Sequence, residues 1–439
     1  MRIVIFAFFL LALPATAQDL QQVYRDAKAY DAQFAAARYA LQAGLEKLPQ
    51  GRALLLPSLN ATAGTTTNHL GISPYGPNPL PQSARTFYNR NYQLSLSQPV
   101  YRAQNWLQFD QAEQQVRQSE AIFGQAGQDL IVRVAQAYFD VLASQDTLAL
   151  VGAQKTAISE QLAQAKRNFE VGTATITDTH EAQARYDLSV AQEISAQNDL
   201  DNKKKALSQI TGKDYAALRQ LRAQIQLSPP SPNNMNDWVA LTEKQAYPVA
   251  IQDAATQIAN LQAKSARAGH YPTVDLVATY GQTEQTGSTT TANSAQLNVG
   301  TFGLQLAVPL YQGGGISSRE REAAANYEKA KQDLANARRS SVLSAQQSFL
   351  AVINGVAQVR ALEQALVSSQ SALDSNKLGY EVGVRINIDV LNAQQQLFST
   401  RRDLAVARYN TITSHLRLKA AAGSLRDEDL EEVNRALQP

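Results

Sequence analysis

Two stretches of this chain are copies of one another, and the distance between them constrains the fold more than any other feature. Residues 163–190 read AQAKRNFEVGTATITDTHEAQARYDLSV and residues 374–401 read DSNKLGYEVGVRINIDVLNAQQQLFSTR. Without a gap, Phe169 falls on Tyr380, Gly172 on Gly383 and Asp178 on Asp389, an offset of 211 residues. The same offset carries Gln136-Ala137-Tyr138-Phe139 onto Gln347-Ser348-Phe349-Leu350 and Gly212 onto Gly423. The chain is a tandem duplication, and each copy holds one sharp turn between two very long helices.

The organisation follows from that repeat. Residues 1–17 read as a secretory signal: Arg2, an apolar run from Ile3 to Leu13, then Pro14 and Ala15-Thr16-Ala17. The run is too short for a spanning helix. The first repeat is expected over 18–227, with a helix, two strands and two long helices. A linker follows at 228–234, Ser-Pro-Pro-Ser-Pro-Asn-Asn, and the second repeat covers 235–439.

Residues 19–50 read as helix, ended by Leu56-Pro57-Ser58. The period then changes from 3.6 to 2. Leu59, Ala61, Ala63 and Thr65 alternate with polar or small residues, and Tyr92, Leu94 and Leu96 alternate with Asn91, Gln93, Ser95 and Ser97. That second strand is expected to end at Pro99, with a loop at about 68–86 before it. In the second copy, Val274, Leu276, Ala278 and Tyr280 form one face, and Phe302, Leu304, Leu306 and Val308 another, with a loop at about 282–296. Strands of about ten residues with one apolar and one polar face suit a membrane β-barrel or a soluble hairpin packed on helices. The count decides between them. Four strands cannot close a barrel, and an open edge in lipid leaves backbone groups unpaired at several kcal/mol each. Copies of the chain must pool their strands, and three copies give twelve.

From about 101 to 170 no proline interrupts the chain. At 1.5 Å per residue, seventy residues make a rod of roughly 100 Å. Leu130, Val134, Ala137, Val141, Leu148 and Val151 form a coiled-coil seam with Ser144 in its gap, and Ile131, Tyr138 and Leu142 start a second, offset seam. Two seams mean neighbours on both sides, as in a ring of helices. Return helices are expected at 179–211 and 390–422, with short helices at 213–222 and 237–245.

Several function classes are excluded. With no cysteine there is neither a disulfide nor a thiolate metal site, and a net charge of +2 gives no field for nucleic acid. His69, His180, His270 and His415 lack ligand spacing, and no cofactor or metal is expected. A hydrolase using Asp178 and Asp389 would need a general acid nearby, and none is present. A periplasmic coiled-coil adaptor would need a lipoyl-like β domain and one hairpin, where this chain has two.

The motifs Phe169-Glu170-Val171-Gly172-Thr173, Ile176-Thr177-Asp178, Pro309-Leu310-Tyr311-Gln312-Gly313-Gly314, Gly379-Tyr380-Glu381-Val382-Gly383 and Ile388-Asp389-Val390-Leu391 carry a resemblance to the TolC family of outer-membrane channels. It covers essentially the whole chain after the signal. It implies a mixed α and β membrane protein, a homotrimer whose twelve-stranded barrel sits in outer-membrane lipid and continues as a periplasmic α-helical barrel of coiled coils. It further implies an exit duct for a tripartite efflux pump or type I secretion system. A periplasmic adaptor (membrane fusion) protein and an inner-membrane ABC, RND or MFS transporter would be its partners.

The resemblance also assigns residues. Val171, Gly172 and Thr173, with Val382, Gly383 and Val384, would be the tip turns where the adaptor docks. Thr177, Asp178, Tyr380 and Arg385 match the contacts that hold the tip shut. Asp389 would form a carboxylate ring at a pore constriction, although its position also suits a helix cap. The family's second aspartate, one turn later, is Asn392 here, which weakens the ring's charge.

Overall fold

The computed structural model describes residues 17–73, 75–77, 83–222 and 225–438. The expected signal segment therefore lies outside the described residues except for Ala17. The chain forms α1 (Leu20–Tyr30), α2 (Ala32–Leu45), α3 (Lys47–Ala53), β1 (Ser58–Ile72), β2 (Ser83–Tyr101), α4 (Ala103–Glu170) and α5 (Ile176–Thr211). The second half adds α6 (Met235–Gln245), α7 (Tyr247–Arg267), β3 (Thr273–Gln285), β4 (Ala295–Ala307), α8 (Gly315–Glu381), α9 (Asn387–Ala421) and α10 (Asp427–Arg435). Among the described residues, no helix is long and apolar enough to cross a membrane.

The duplication is visible in the backbone. Helices α4 and α8 have 68 and 67 residues, and α5 and α9 have 36 and 35. Two compact units cut across the repeats, so each unit draws on both copies. One gathers the chain up to Ala40 with Ala121–Ala250 and everything from Asn336; the other gathers Leu41–Glu120 and Ile251–Ala335.

The second unit contains the sheet, antiparallel throughout, in the order β1-β2-β3-β4. Its register places the alternating residues of all four strands in common rows. Leu59, Leu96, Ala278 and Phe302 form one row, and Ala61, Leu94, Tyr280 and Gly300 the next, on the same face. The opposite face carries rows such as Asn60, Ser95, Thr279 and Thr301, in which the last two hydroxyls hydrogen-bond at 2.5 Å. Tyr92, Leu94, Tyr280, Phe302, Leu304 and Leu306 are all exposed, a contiguous apolar surface of the kind that needs lipid or protein against it. One row beyond Tyr92, Arg90 stands opposite Glu284 and marks the polar end of the band. Among the described residues, the outer edges of β1 and β4 have no strand beside them.

The strands run longer than expected, 13 to 19 residues, and extend into segments read as loop. β2 does not stop at Pro99. It continues to Tyr101 through a register shift between Pro99 and Tyr101, which absorbs the missing N–H. Just beyond it, Arg102 grips the buried Asp275 of β3 through two hydrogen bonds of 2.7 and 2.6 Å.

The first unit is built on the two seams of α4. Leu130, Val134 and Val141 are buried, as are Ile131, Tyr138 and Leu142, in one cluster with residues of α1, α5, α9 and α10. The gap residue Ser144 is buried and donates to Asp199 at 2.6 Å. Phe139 stacks on Tyr409 with centroids 5.6 Å apart.

Two helical expectations are corrected here. The single helix read over 19–50 is broken at Asp31, whose carboxylate accepts from the Phe34 amide at 2.9 Å and from Arg133 at 2.8 Å. An aspartate that bonds the backbone ahead of it starts a new helix rather than continuing the old one. The helix expected at 213–222 does not form. Gly212 ends α5 in the left-handed region with φ 70°, and the segment after it runs extended, bridging Leu218 to Gln18 and Leu221 to Leu437. Backbone pairing with distant partners overrides local preference there.

Candidate channel tip and constriction

Both sharp turns use the same chemistry. At the end of α4 the Thr173 amide donates to the Asn168 carbonyl at 2.8 Å and the Gly172 amide to Phe169 at 3.0 Å. At the end of α8 the Val384 amide donates to Gly379 at 2.9 Å and Gly383 to Tyr380 at 3.1 Å. This pair of bonds requires a left-handed residue two places past the last helical one. Gly172 and Gly383 both have φ 79°, which glycine adopts without a Cβ clash. The turns present bare apolar side chains: Val171 is 74 % exposed, Val382 65 %, Val384 76 % and Ile386 61 %.

The chain continues differently from each turn. Before α5, Thr175 and Asp178 form a reciprocal capping box: the Asp178 amide donates to Thr175 Oγ1, while Asp178 Oδ2 accepts from the Thr175 amide at 2.9 Å and its hydroxyl at 2.7 Å. In the second copy the equivalent of Thr175 is Ile386, which has no side-chain oxygen and makes no cap. Asp389 is thereby left out of a box and meets Arg385 instead, at 3.7 Å.

The four expected gate residues are not joined to one another within one chain. Tyr380 Oη accepts from Asn168 Nδ2 at 3.1 Å, Arg385 pairs with Asp389, and Thr177 is exposed. Asp178 is engaged by its own helix cap through Oδ2, while Oδ1 has no partner among the described residues. Asn392 is exposed, and its Oδ1 accepts from Arg185 of α5 at 2.9 Å; the same guanidinium donates to Gln395 Oε1 at 2.6 Å. Buried Gln161 of α4 donates to the buried Asn387 of α9.

Sequence reasoning missed Arg185, Gln161 and Asn168. Asn168 and Arg185 lie inside the repeated stretch, but their identities are not repeated: under the 211-residue offset Arg185 falls on Gln396 and Asn168 on Gly379. The signal available for Arg185 was a cation placed two turns after Asp178 on α5.

A profile of the Outer membrane efflux protein family matches residues 23–213 and 240–424, one block in each repeat. The chain belongs to that family. The outer membrane efflux protein fold accounts for both the duplication and the open-edged sheet. The outer membrane protein TolC of Vibrio cholerae is 34 % identical over 424 residues, covering 96 % of this chain and 94 % of that protein. The proteases secretion protein PrtF of Dickeya chrysanthemi is 32 % identical over 427 residues, covering 95 % and 91 %. Among solved structures, the Campylobacter jejuni CmeC outer membrane channel superposes with a TM-score of 0.78 at 16 % identity, over 95 % of this chain and 90 % of that one. The Vibrio cholerae outer membrane protein VceC does so with a TM-score of 0.77 at 18 % identity, over 92 % and 96 %.

As an outer membrane efflux protein, the chain is a subunit of an outer-membrane exit duct for efflux and type I secretion, a passive channel and not an enzyme. Its four strands are one third of a homotrimeric twelve-stranded barrel continued by helical coiled coils. The coiled-coil adaptor reading of the chain itself is set aside.

Proposed function

We propose that the two turns form the periplasmic docking tip of the duct and that the polar contacts behind them hold it closed. The contrast between body and tip carries this reading. The body is held by a large apolar core that includes Tyr138, Phe139 and Leu416. Near the turns the two repeats are joined by a smaller apolar cluster, in which Leu391 packs with Ile158, Leu162, Ala165 and Ala182, and by single polar bonds such as Asn168–Tyr380 and Gln161–Asn387. Bonds of that kind contribute about 1 kcal/mol each and yield to a docked partner.

In this reading the exposed Val171, Val382 and Val384 meet a periplasmic adaptor, and an inner-membrane transporter of the ABC, RND or MFS type feeds the duct. Arg385 reaches Asp178 Oδ1 of a neighbouring chain, completing with Tyr380 and Thr177 a ring of three locks. Asp389 lines the constriction below. Single-channel conductance in planar bilayers tests the lock: Arg385→Ala combined with Tyr380→Phe is expected to raise it, and unchanged conductance removes the gate assignment. Cysteines placed at the exposed Val171 and Val382 beside the two turn glycines, in a chain that has none of its own, are expected to crosslink the adaptor.

A further inference from the structure

The guanidinium of Arg185 is not part of any lock or turn, yet it is fixed at the level of the constriction. Its two terminal nitrogens are held by Asn392 Oδ1 at 2.9 Å and Gln395 Oε1 at 2.6 Å, both on α9 and both exposed. Neither acceptor carries a charge, so the bonds orient the cation without neutralising it. Asn392 stands one helical turn beyond Asp389, a rise of roughly 4.5 Å. On the other side of Asp389, one turn earlier, stands Arg385 at 3.7 Å. Asp389 thus lies along the chain between Arg385, in the turn before α9, and Asn392, the α9 side chain that holds Arg185 of α5. The remaining charges nearby lie on α5: Asp178, engaged in its capping box, and Glu181, exposed one turn before Arg185.

We propose that Arg185 is the counter-charge of the constriction, and that it keeps the pore mouth weakly selective between cations and anions so that anionic cargo can enter. This rests on the reading that Asp389 and Asn392 line the constriction. Each chain sets Arg385 and Arg185 against Asp389, Glu181 and the capped Asp178, so Arg185 offsets one carboxylate per chain. Removing Arg185 leaves one more carboxylate per chain without a counter-charge, three in the assembly. Because such a ring acts on ions passing within a few ångströms, its effect survives moderate salt screening.

The test is the reversal potential of the trimeric channel in planar bilayers under a potassium chloride gradient. Arg185→Ala is expected to raise the potassium-to-chloride permeability ratio at least about fourfold, the effect on a cation alone of one unit charge at about 5 Å in water. Arg185→Lys, which keeps the charge and loses the double hydrogen bond, is expected to retain the parent ratio. Asp389→Asn reports on the constriction itself and is expected to shift the ratio toward chloride. If Asp389→Asn shifts the ratio and Arg185→Ala does not, the constriction stands and the counter-charge is refuted. If neither shifts it, the constriction reading falls and the counter-charge with it. Heat-resistant trimer migration on gels checks that each variant has assembled.

Discussion

Asp178 and Asp389 occupy the same position of two copied helices, yet only Asp178 is locked into a capping box, because the residue three places earlier is Thr175 in one copy and Ile386 in the other. The duplication preserved the carboxylate and changed its employment. A carboxylate in the first helical turn still gains from the helix dipole, but without a reciprocal partner it is free to serve another group.

Asp178→Ala is therefore expected to cost about 1 kcal/mol of local stability through loss of the cap. Hydrogen exchange of the amides at 175–179 would speed up about fivefold. Asp389→Ala should leave exchange at 386–390 nearly unchanged, and equal acceleration in the two variants would contradict the asymmetry.

Gly383→Ala places a Cβ on a backbone with φ 79°, at a position where nothing lies within 4 Å of the added carbon. Crowding is absent, so the cost is conformational, about 1–2 kcal/mol. The same holds for Gly172→Ala. Each substitution should loosen its turn and weaken adaptor crosslinking while leaving the trimer's thermal transition in place.

Phe302 and Thr301 are neighbours on β4 with opposite fates. Phe302 lies in the apolar row with Ala278, and Thr301 in the polar row with Thr279. Phe302→Arg is expected to cost about 2–4 kcal/mol in lipid, and Thr301→Arg much less. Refolding into lipid vesicles, scored by heat-modifiable migration, should fail or slow only for Phe302→Arg.

Asp31, at the break between α1 and α2, supplies a pH dependence. Burial raises its proton affinity, but hydrogen bonds from Arg133 and the Phe34 amide, with the Arg133 charge, outweigh that and hold the carboxyl below the ordinary range. A folded-state value below the unfolded one stabilises the fold above about pH 4 and withdraws that support as pH falls further. Asp31→Asn should flatten the acid limb of the stability curve below about pH 4 and cost about 2 kcal/mol at neutral pH, where Arg133 loses its partner. Thermal unfolding across pH 3–7 reads both effects.

Long periodic elements were legible in the sequence because their signals are redundant. The seams of α4 repeat through Leu130, Val134 and Val141, and the strand alternation repeats in every row of the sheet. The break at Asp31 was not legible, because it depends on Arg133, about a hundred residues away. Nor was the extended segment after Gly212, whose backbone partners are Gln18 and Leu437. At the tip, the turns announced themselves through glycine, which answers a local backbone demand. Arg185 did not, since what makes it notable is the pair of amides facing it from another repeat.

The threefold pooling of strands can be tested by native mass spectrometry of the detergent-solubilised protein. Among the described residues the outer edges of β1 and β4 are unpaired, and another copy would satisfy them in lipid. Three copies per particle is the expected result. A single copy that stays in solution without detergent would contradict the barrel, and the constriction would fall with it.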